Sequence, residues 1–248
     1  MPVPRKWGIR GMRVETWAEL EVIITGGQDR EGGGTGPAVL LLHGFGAPGD
    51  DLVALWRMLD VPHEIRFLFP SAPLSLNLGF GESRAWWMLD MERLMQARAQ
   101  GLWEDLTREI PAGLQPAHHQ MVNFLDEADH QLNILPQHLV IGGFSQGAML
   151  ACDVVLRTER PVAGLVLMSG SVISREAWFS SIPHRKGLPV FQSHGTDDPL
   201  LSCTVAKQLR DALIAGGAQV DWNEFRGGHE IPPQVLDNLG RFLRKVLG

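Results

Sequence analysis

The chain has 248 residues, 44% of them hydrophobic and 20% charged, with a formal net charge of −6. That length suits one large α/β domain or two small ones, and an acidic balance without a basic block disfavours nucleic acid as a partner. No apolar run approaches the roughly 18 residues of a membrane span, and the Met1-Pro2-Val3-Pro4-Arg5-Lys6-Trp7 start has no apolar stretch behind it, so no stable membrane anchor or signal peptide is expected and cytoplasmic is the default location.

Residues 12–24 read as one or two strands, because Val14, Thr16, Val22, Ile23 and Ile24 are β-branched. A glycine-rich loop follows over 26–36, with no phosphate-loop lysine after it. Val39-Leu40-Leu41-Leu42 has the wholly apolar character of a strand buried on both faces of a parallel sheet. It runs into His43-Gly44-Phe45-Gly46. Asp50 or Asp51 is then placed to cap a helix over 52–59. A second buried strand is expected over 65–69, halted by Pro70.

Residues 74–115 are the least regular. They include Gly79-Phe80-Gly81, the apolar run Trp86-Trp87-Met88-Leu89, a helical stretch over 91–102 and a connector over 105–115. Residues 116–132 form an amphipathic helix with Met121, Phe124, Leu125, Ala128 and Leu132 at helical spacing. On or beside that helix, His118, His119 and His130 are expected to face solvent. Further strands are predicted over 139–144, 162–168, 189–194 and 220–225, and helices over 146–157, 205–215 and 235–247. Strands alternating with helices argue for a mostly parallel sheet covered on both faces. Without an internal repeat or a domain boundary, residues 1–248 are expected to form a single domain.

The chemistry follows from what lies just past the strand ends. Gly143-Phe144-Ser145-Gln146-Gly147 is a G-x-S-x-G match between a strand and a helix, a setting that lifts a serine hydroxyl clear of a sheet. A serine needs a base, a partner that orients the base, and donors for the developing oxyanion. Gly195-Thr196-Asp197-Asp198-Pro199 offers a carboxylate after one strand, and Arg226-Gly227-Gly228-His229-Glu230 offers a base after another. The order serine, acid, histidine is that of the α/β-hydrolases. Spacing alone does not separate Asp197 from Asp198. The backbone N–H groups of Phe45 and Gln146 are the candidate oxyanion donors, so Gln146 is assigned a task for its amide and tolerance in its side chain. His43 is expected to shape its turn. Singly, Asp198-Pro199 also reads as a plain turn and His229 as a loop residue. The two cysteines, Cys152 and Cys203, have no metal-ligand spacing and read as separate buried thiols, so no metal site is expected.

These segments resemble the phospholipase/carboxylesterase family of α/β-hydrolases, which includes acyl-protein thioesterases. The resemblance runs from about Ala38 to the carboxyl terminus and rests on Leu42-His43-Gly44-Phe45-Gly46, Gly142-Gly143-Phe144-Ser145-Gln146-Gly147, His194-Gly195-Thr196-Asp197-Asp198-Pro199-Leu200 and Gly228-His229-Glu230-Ile231. It implies an α/β-hydrolase fold with a mostly parallel central sheet and helices on both faces. It selects Asp198, the acid before the proline, to join Ser145 and His229. The implied activity is hydrolysis of short- to medium-chain acyl esters without a cofactor. Acyl-protein or acyl-CoA thioester hydrolysis, or lysophospholipid hydrolysis, is the alternative, and a non-catalytic ligand-binding fold is the rival outside enzymes. The chain departs from compact members after Asp90, where about 25 extra residues intervene. Residues 86–115 are therefore read as a lid or pocket wall, with Trp87, Met88, Leu89, Leu200 and Ile231 as candidate pocket residues. Core packing is the competing reading for Trp86.

Overall fold

The computed structural model describes residues 11–77, 79 and 81–248. The amino-terminal segment and Phe80, both part of the sequence reading, lie outside the described residues. The chain opens with two antiparallel strands, β1 (Met12–Trp17) and β2 (Leu20–Gly26). Then come β3 (Ala38–Leu42), the one-turn helix α1 (Leu55–Met58) and β4 (Arg66–Pro70). A two-stranded ribbon, β5 (Leu74–Leu76) and β6 (Ser83–Ala85), precedes helices α2 (Met91–Gln100), α3 (Trp103–Arg108) and α4 (Leu114–Leu132). The rest alternates: β7 (Leu139–Phe144), α5 (Gln146–Arg157), β8 (Gly164–Met168), α6 (Arg175–Ser181), β9 (Pro189–Gly195), α7 (Cys203–Ala215), β10 (Gln219–Phe225) and α8 (Pro233–Leu247).

The main sheet has eight strands in the order β1-β2-β4-β3-β7-β8-β9-β10. The β1–β2 and β2–β4 pairs are antiparallel, and every pair from β4 to β10 is parallel. Side chains alternate between the two faces, as the pleat requires. Leu40 and Leu42 of β3, Ile141 of β7 and Leu165 and Leu167 of β8 join one cluster, with Met121, Phe124 and Leu125 of α4, Leu150 and Val154 of α5 and Leu209 of α7. Val39 and Leu41, Val140, and Val166 and Met168 point the other way, to Leu55 of α1 and Leu236, Leu239 and Phe242 of α8. The continuous apolar runs of the central strands thus follow from a sheet buried on both sides.

Several elements differ from the sequence reading. The helix expected over 52–59 shrinks to the turn Leu55–Met58, which starts after Ala54 with no side-chain cap. The residues before it make tighter bonds instead, Val53 N–H to the Asp50 carbonyl and Leu55 N–H to the Leu52 carbonyl. Pro70 does not stop its strand but closes it, opposite Val22. Part of the expected connector is helical, forming the end of α3 and the start of α4. Helix α6 is absent from the sequence reading altogether. At the other end of the sheet from the strand tips, the buried Arg66 guanidinium donates to the carbonyls of Gly36 and Leu132, tying the glycine-rich loop to the carboxyl end of α4. A cation there complements the unpaired carbonyls of a helix end.

Candidate active site

Ser145 stands alone between the last residue of β7 and the first of α5. Its backbone has φ 55° and ψ −119°, a conformation that costs about 1–3 kcal/mol for a residue with a side chain. The tight turn is possible because Gly143 and Gly147 flank it. A Cβ on either would collide with the Leu42 carbonyl oxygen at the end of β3. The same closeness sets the turn after β3 against the serine, since a Cβ on Gly44 would lie 3.3 Å from that of Ser145.

The acid and base loops meet beside this turn. His229 Nδ1 and Asp198 Oδ2 are 2.7 Å apart, with the Asp198 side chain fully buried and that of His229 12% exposed. A carboxylate there accepts a hydrogen bond from Nδ1–H and leaves Nε2 as the free basic nitrogen. The second Asp198 oxygen accepts the N–H groups of Leu200 and Leu201 at 2.8 and 2.9 Å. Burial alone would raise the Asp198 pKa, but the bonds from His229, Leu201 and Leu200 and the His229 charge together hold it below the ordinary 3.8. Asp197, the rival in sequence, is exposed and donates its backbone N–H to Gly227. The loops are in backbone contact, because a Cβ on Gly195 would strike the carbonyls of Gly227 and Gly228. The imidazole of His229 lies over Phe144, with ring centroids 4.7 Å apart, and so next to the residue that precedes Ser145.

Two further histidines support the site without exposed rings. His43 donates from Nδ1 to the Gly44 carbonyl at 2.8 Å and accepts the Ala72 N–H on Nε2 at 2.9 Å. Burial pushes its pKa down to about 4, so it is neutral and fixed in its turn. His194 is also buried, which lowers its pKa, and its Nε2 lies 3.1 Å from the Leu201 carbonyl and 3.4 Å from Asp198 Oδ2.

The proposed oxyanion amides belong to Phe45, half-buried in the turn after β3, and Gln146, buried at the first position of α5. Helix starts leave amide N–H groups unpaired within the helix, which suits an anion. Segment 84–87 bonds to both places. Gly46 N–H donates to the Arg84 carbonyl and Arg84 N–H to the Ala47 carbonyl, each at 2.8 Å. The Trp86 indole N–H donates to the His43 carbonyl at 2.9 Å. The Gln146 carboxamide accepts Trp86 N–H at 3.0 Å and donates to the Trp87 carbonyl at 2.8 Å. Sequence reasoning gave the Gln146 side chain no partner, and no local pattern links it to residues sixty positions earlier.

The candidate pocket residues separate. Trp87, 1% exposed, packs into the core cluster that holds α4, so it faces the core and not an open pocket. Trp86 is a core residue too. Met88 and Leu200 are exposed, at 61% and 46%, while Leu89 and Ile231 are half-buried against opposite clusters.

His118 also departs from expectation. It is buried, not solvated, with Nδ1 2.7 Å from Asp153 Oδ2 between α4 and α5. Asp153 further accepts the Trp178 indole N–H at 2.8 Å and the Arg157 guanidinium at 3.0 Å. The signal was present, since His118 stands three residues before Met121 and seven before Leu125 on the apolar stripe. Both cysteines are free thiols, Cys152 buried and Cys203 half-buried. Among the described residues no cluster of three or more metal-ligating side chains occurs, and no helix is long and apolar enough to cross a membrane.

The family model described as phospholipase/carboxylesterase matches residues 30–247. Acyl-protein thioesterase 1 of Gibberella zeae is 27% identical over 218 residues, covering 84% of this chain and 90% of that protein. Acyl-protein thioesterase 1 of Candida albicans is 27% identical over 225 residues, covering 85% and 92%. Among solved structures, esterase PE8 superposes with a TM-score of 0.74 at 28% identity, over 90% of this chain and 97% of that one.

Proposed function

The chain belongs to the phospholipase/carboxylesterase family of α/β-hydrolases, and from that premise we propose that it is a serine carboxylesterase acting on short- to medium-chain acyl esters through Ser145, His229 and Asp198. The observation that carries the reading is the His229–Asp198 pair, 2.7 Å apart with its carboxylate buried, whose imidazole lies over Phe144, the residue before a serine held at φ 55°.

In the first half-reaction, Ser145 Oγ attacks the ester carbonyl carbon while His229 Nε2 takes the hydroxyl proton. Asp198 keeps the Nδ1 tautomer and stabilises the imidazolium. The carbonyl oxygen becomes an oxyanion that accepts from the Phe45 and Gln146 amides. Collapse breaks the bond to the alcohol, which leaves with the proton from His229. In the second half-reaction His229 deprotonates water, which attacks the acyl-serine. The acid departs and Ser145 regains its proton. The reaction balances without a cofactor. In this reading residues 1–248 act as one hydrolase unit, and residues 86–115 supply a lid or pocket wall beyond the core side chains of Trp86 and Trp87.

The test is turnover of p-nitrophenyl butyrate by pure protein. Ser145→Ala should lower kcat by about 10⁶-fold, to background, while the variant stays folded. A fluorophosphonate probe should label the wild type at Ser145. Turnover undiminished in Ser145→Ala rejects the assignment, and a wild type that neither turns over ester nor takes the probe supports a non-catalytic role. A thioester substrate is the second reading, favoured by the relatives named acyl-protein thioesterase 1. Rates on an ester and a thioester with the same acyl group separate the two.

A further inference from the structure

The Gln146 carboxamide takes no part in the proton transfers above, yet it is 1% exposed and bonded at both ends. Its two partners, Trp86 N–H and the Trp87 carbonyl, belong to consecutive residues just past the end of β6, so one side chain bridges two neighbouring residues of that segment. The same segment holds the turn after β3, through Arg84 to Gly46 and Ala47 and through the Trp86 indole to His43. A line of hydrogen bonds therefore runs from the Phe45 turn, through residues 84–87, to the side chain of the residue whose amide is the other oxyanion donor.

The two donors sit on separate elements, one on a turn and one at a helix start. Neither the sheet ladder nor a helix fixes the turn, which has its glycines for shape and the His43–Ala72 bond and segment 84–86 for anchorage. We infer that Gln146 is a positioning residue: its carboxamide clamps segment 84–87 to the nucleophile turn and so sets the separation of the Phe45 and Gln146 amides. The inference rests on the esterase reading above. Oxyanion stabilisation depends on donors held in place before the reaction, and a misplacement of about 1 Å costs on the order of 10²-fold in rate.

The chemistry asks for glutamine. A carboxamide both accepts and donates, as the Trp86 N–H and Trp87 carbonyl require. Methionine fills nearly the same volume without either bond. Glutamate accepts from Trp86 but, when ionised, sets an oxygen against the Trp87 carbonyl. When protonated it regains the donor.

The experiment measures kcat and KM for p-nitrophenyl butyrate in the wild type, Gln146→Met and Gln146→Glu, with thermal unfolding of each. Gln146→Met is expected to lower kcat by about 10–100-fold with KM within about threefold, because transition-state donors and not ground-state contacts are disturbed. The deficit of Gln146→Glu relative to wild type is expected to narrow as pH falls from about 8 to about 5.5, because burial beside the Trp87 carbonyl raises the introduced carboxyl well above its usual range and the acid form regains the donor. Wild-type kcat in Gln146→Met, or a change confined to KM, overturns the inference, because packing alone would then suffice. Should Gln146→Met fail to fold, the Gln146→Glu profile decides, and a deficit independent of pH overturns the inference. The esterase reading survives either failure as long as Ser145→Ala abolishes turnover. A wild type with no Ser145-dependent turnover overturns both.

Discussion

Two histidine–aspartate pairs in this molecule share one geometry. His229–Asp198 and His118–Asp153 both have Nδ1 and Oδ2 2.7 Å apart, both with the carboxylate side chain fully buried and the imidazole 12% and 8% exposed. Their surroundings differ. The first lies past the carboxyl ends of β9 and β10, against Phe144 and the turn that carries Ser145. The second lies between helices, with Asp153 the eighth residue of α5, roughly 10 Å from its start. The cysteine before Asp153 is no substitute nucleophile, since complete burial pushes the Cys152 thiol pKa well above 9.0. Asp153 instead gathers His118, Trp178 and Arg157, which join α4, α5 and α6. A short histidine–carboxylate bond therefore does not mark a site by itself. Placement at the strand ends, beside a strained serine, separates the pair proposed to do chemistry from the structural one.

The same substitution in each pair should give opposite results. Asp198→Asn keeps an acceptor for Leu200 and Leu201 but presents N–H to His229, favouring the wrong tautomer. We expect kcat to fall by about 10⁴-fold, with the unfolding midpoint little changed. Asp153→Asn removes the charge that three donors share. We expect a loss of about 2–4 kcal/mol in stability by denaturant unfolding, with kcat of the folded fraction within about threefold of wild type. Equal losses of activity in both variants would erase the distinction between the pairs.

One side of this contrast is legible in the sequence and the other is not. The strand before Ser145 and the helix after it fall where the apolar run and the G-x-S-x-G match place them, Leu139–Phe144 and Gln146–Arg157. The acid and base loops follow their predicted strands because backbone glycines and a proline punctuate them. Spacing leaves Asp197 and Asp198 open; the family resemblance selects the acid before the proline, and Asp198 is the one bonded to His229. What escaped depends on contacts between distant residues. Gln146 meets Trp86 and Trp87 across the site, and α6 supplies Trp178 to a carboxylate on another helix. His118 differs for another reason: a polar side chain on the apolar stripe of α4 reads as solvated, and only its bond to Asp153 on α5 explains its burial.

Acid sharpens the comparison further. Burial would raise the Asp153 pKa, but bonds from His118 and Trp178 and the Arg157 charge outweigh it and hold the group below 3.8. A carboxyl with a depressed folded-state pKa contributes stability above its unfolded value and loses it as pH falls through the folded value. The wild type should thus lose stability below pH 3.8 more steeply than Asp153→Asn, and the gap between their unfolding midpoints should narrow on going from about pH 6 to about pH 2.5. A gap that stays constant over that range would show that the Asp153 charge contributes nothing.

The smallest effect belongs to Trp178→Phe. It deletes the indole N–H that donates to Asp153 Oδ1 at 2.8 Å and leaves His118 and Arg157 in place. Because the acceptor is charged, the lost bond should cost about 1–2 kcal/mol, read from urea unfolding, with no change in kcat. In the Asp153→Asn background the acceptor is already neutral, so the same Trp178→Phe change should cost less. Residues that share a hydrogen-bonded group couple by about 0.5–3 kcal/mol, whereas independent sites add. If Trp178→Phe costs the same in both backgrounds, the indole contributes through its ring in the α5–α6 core and not through Asp153, and the second pair reduces to His118 and Arg157 alone.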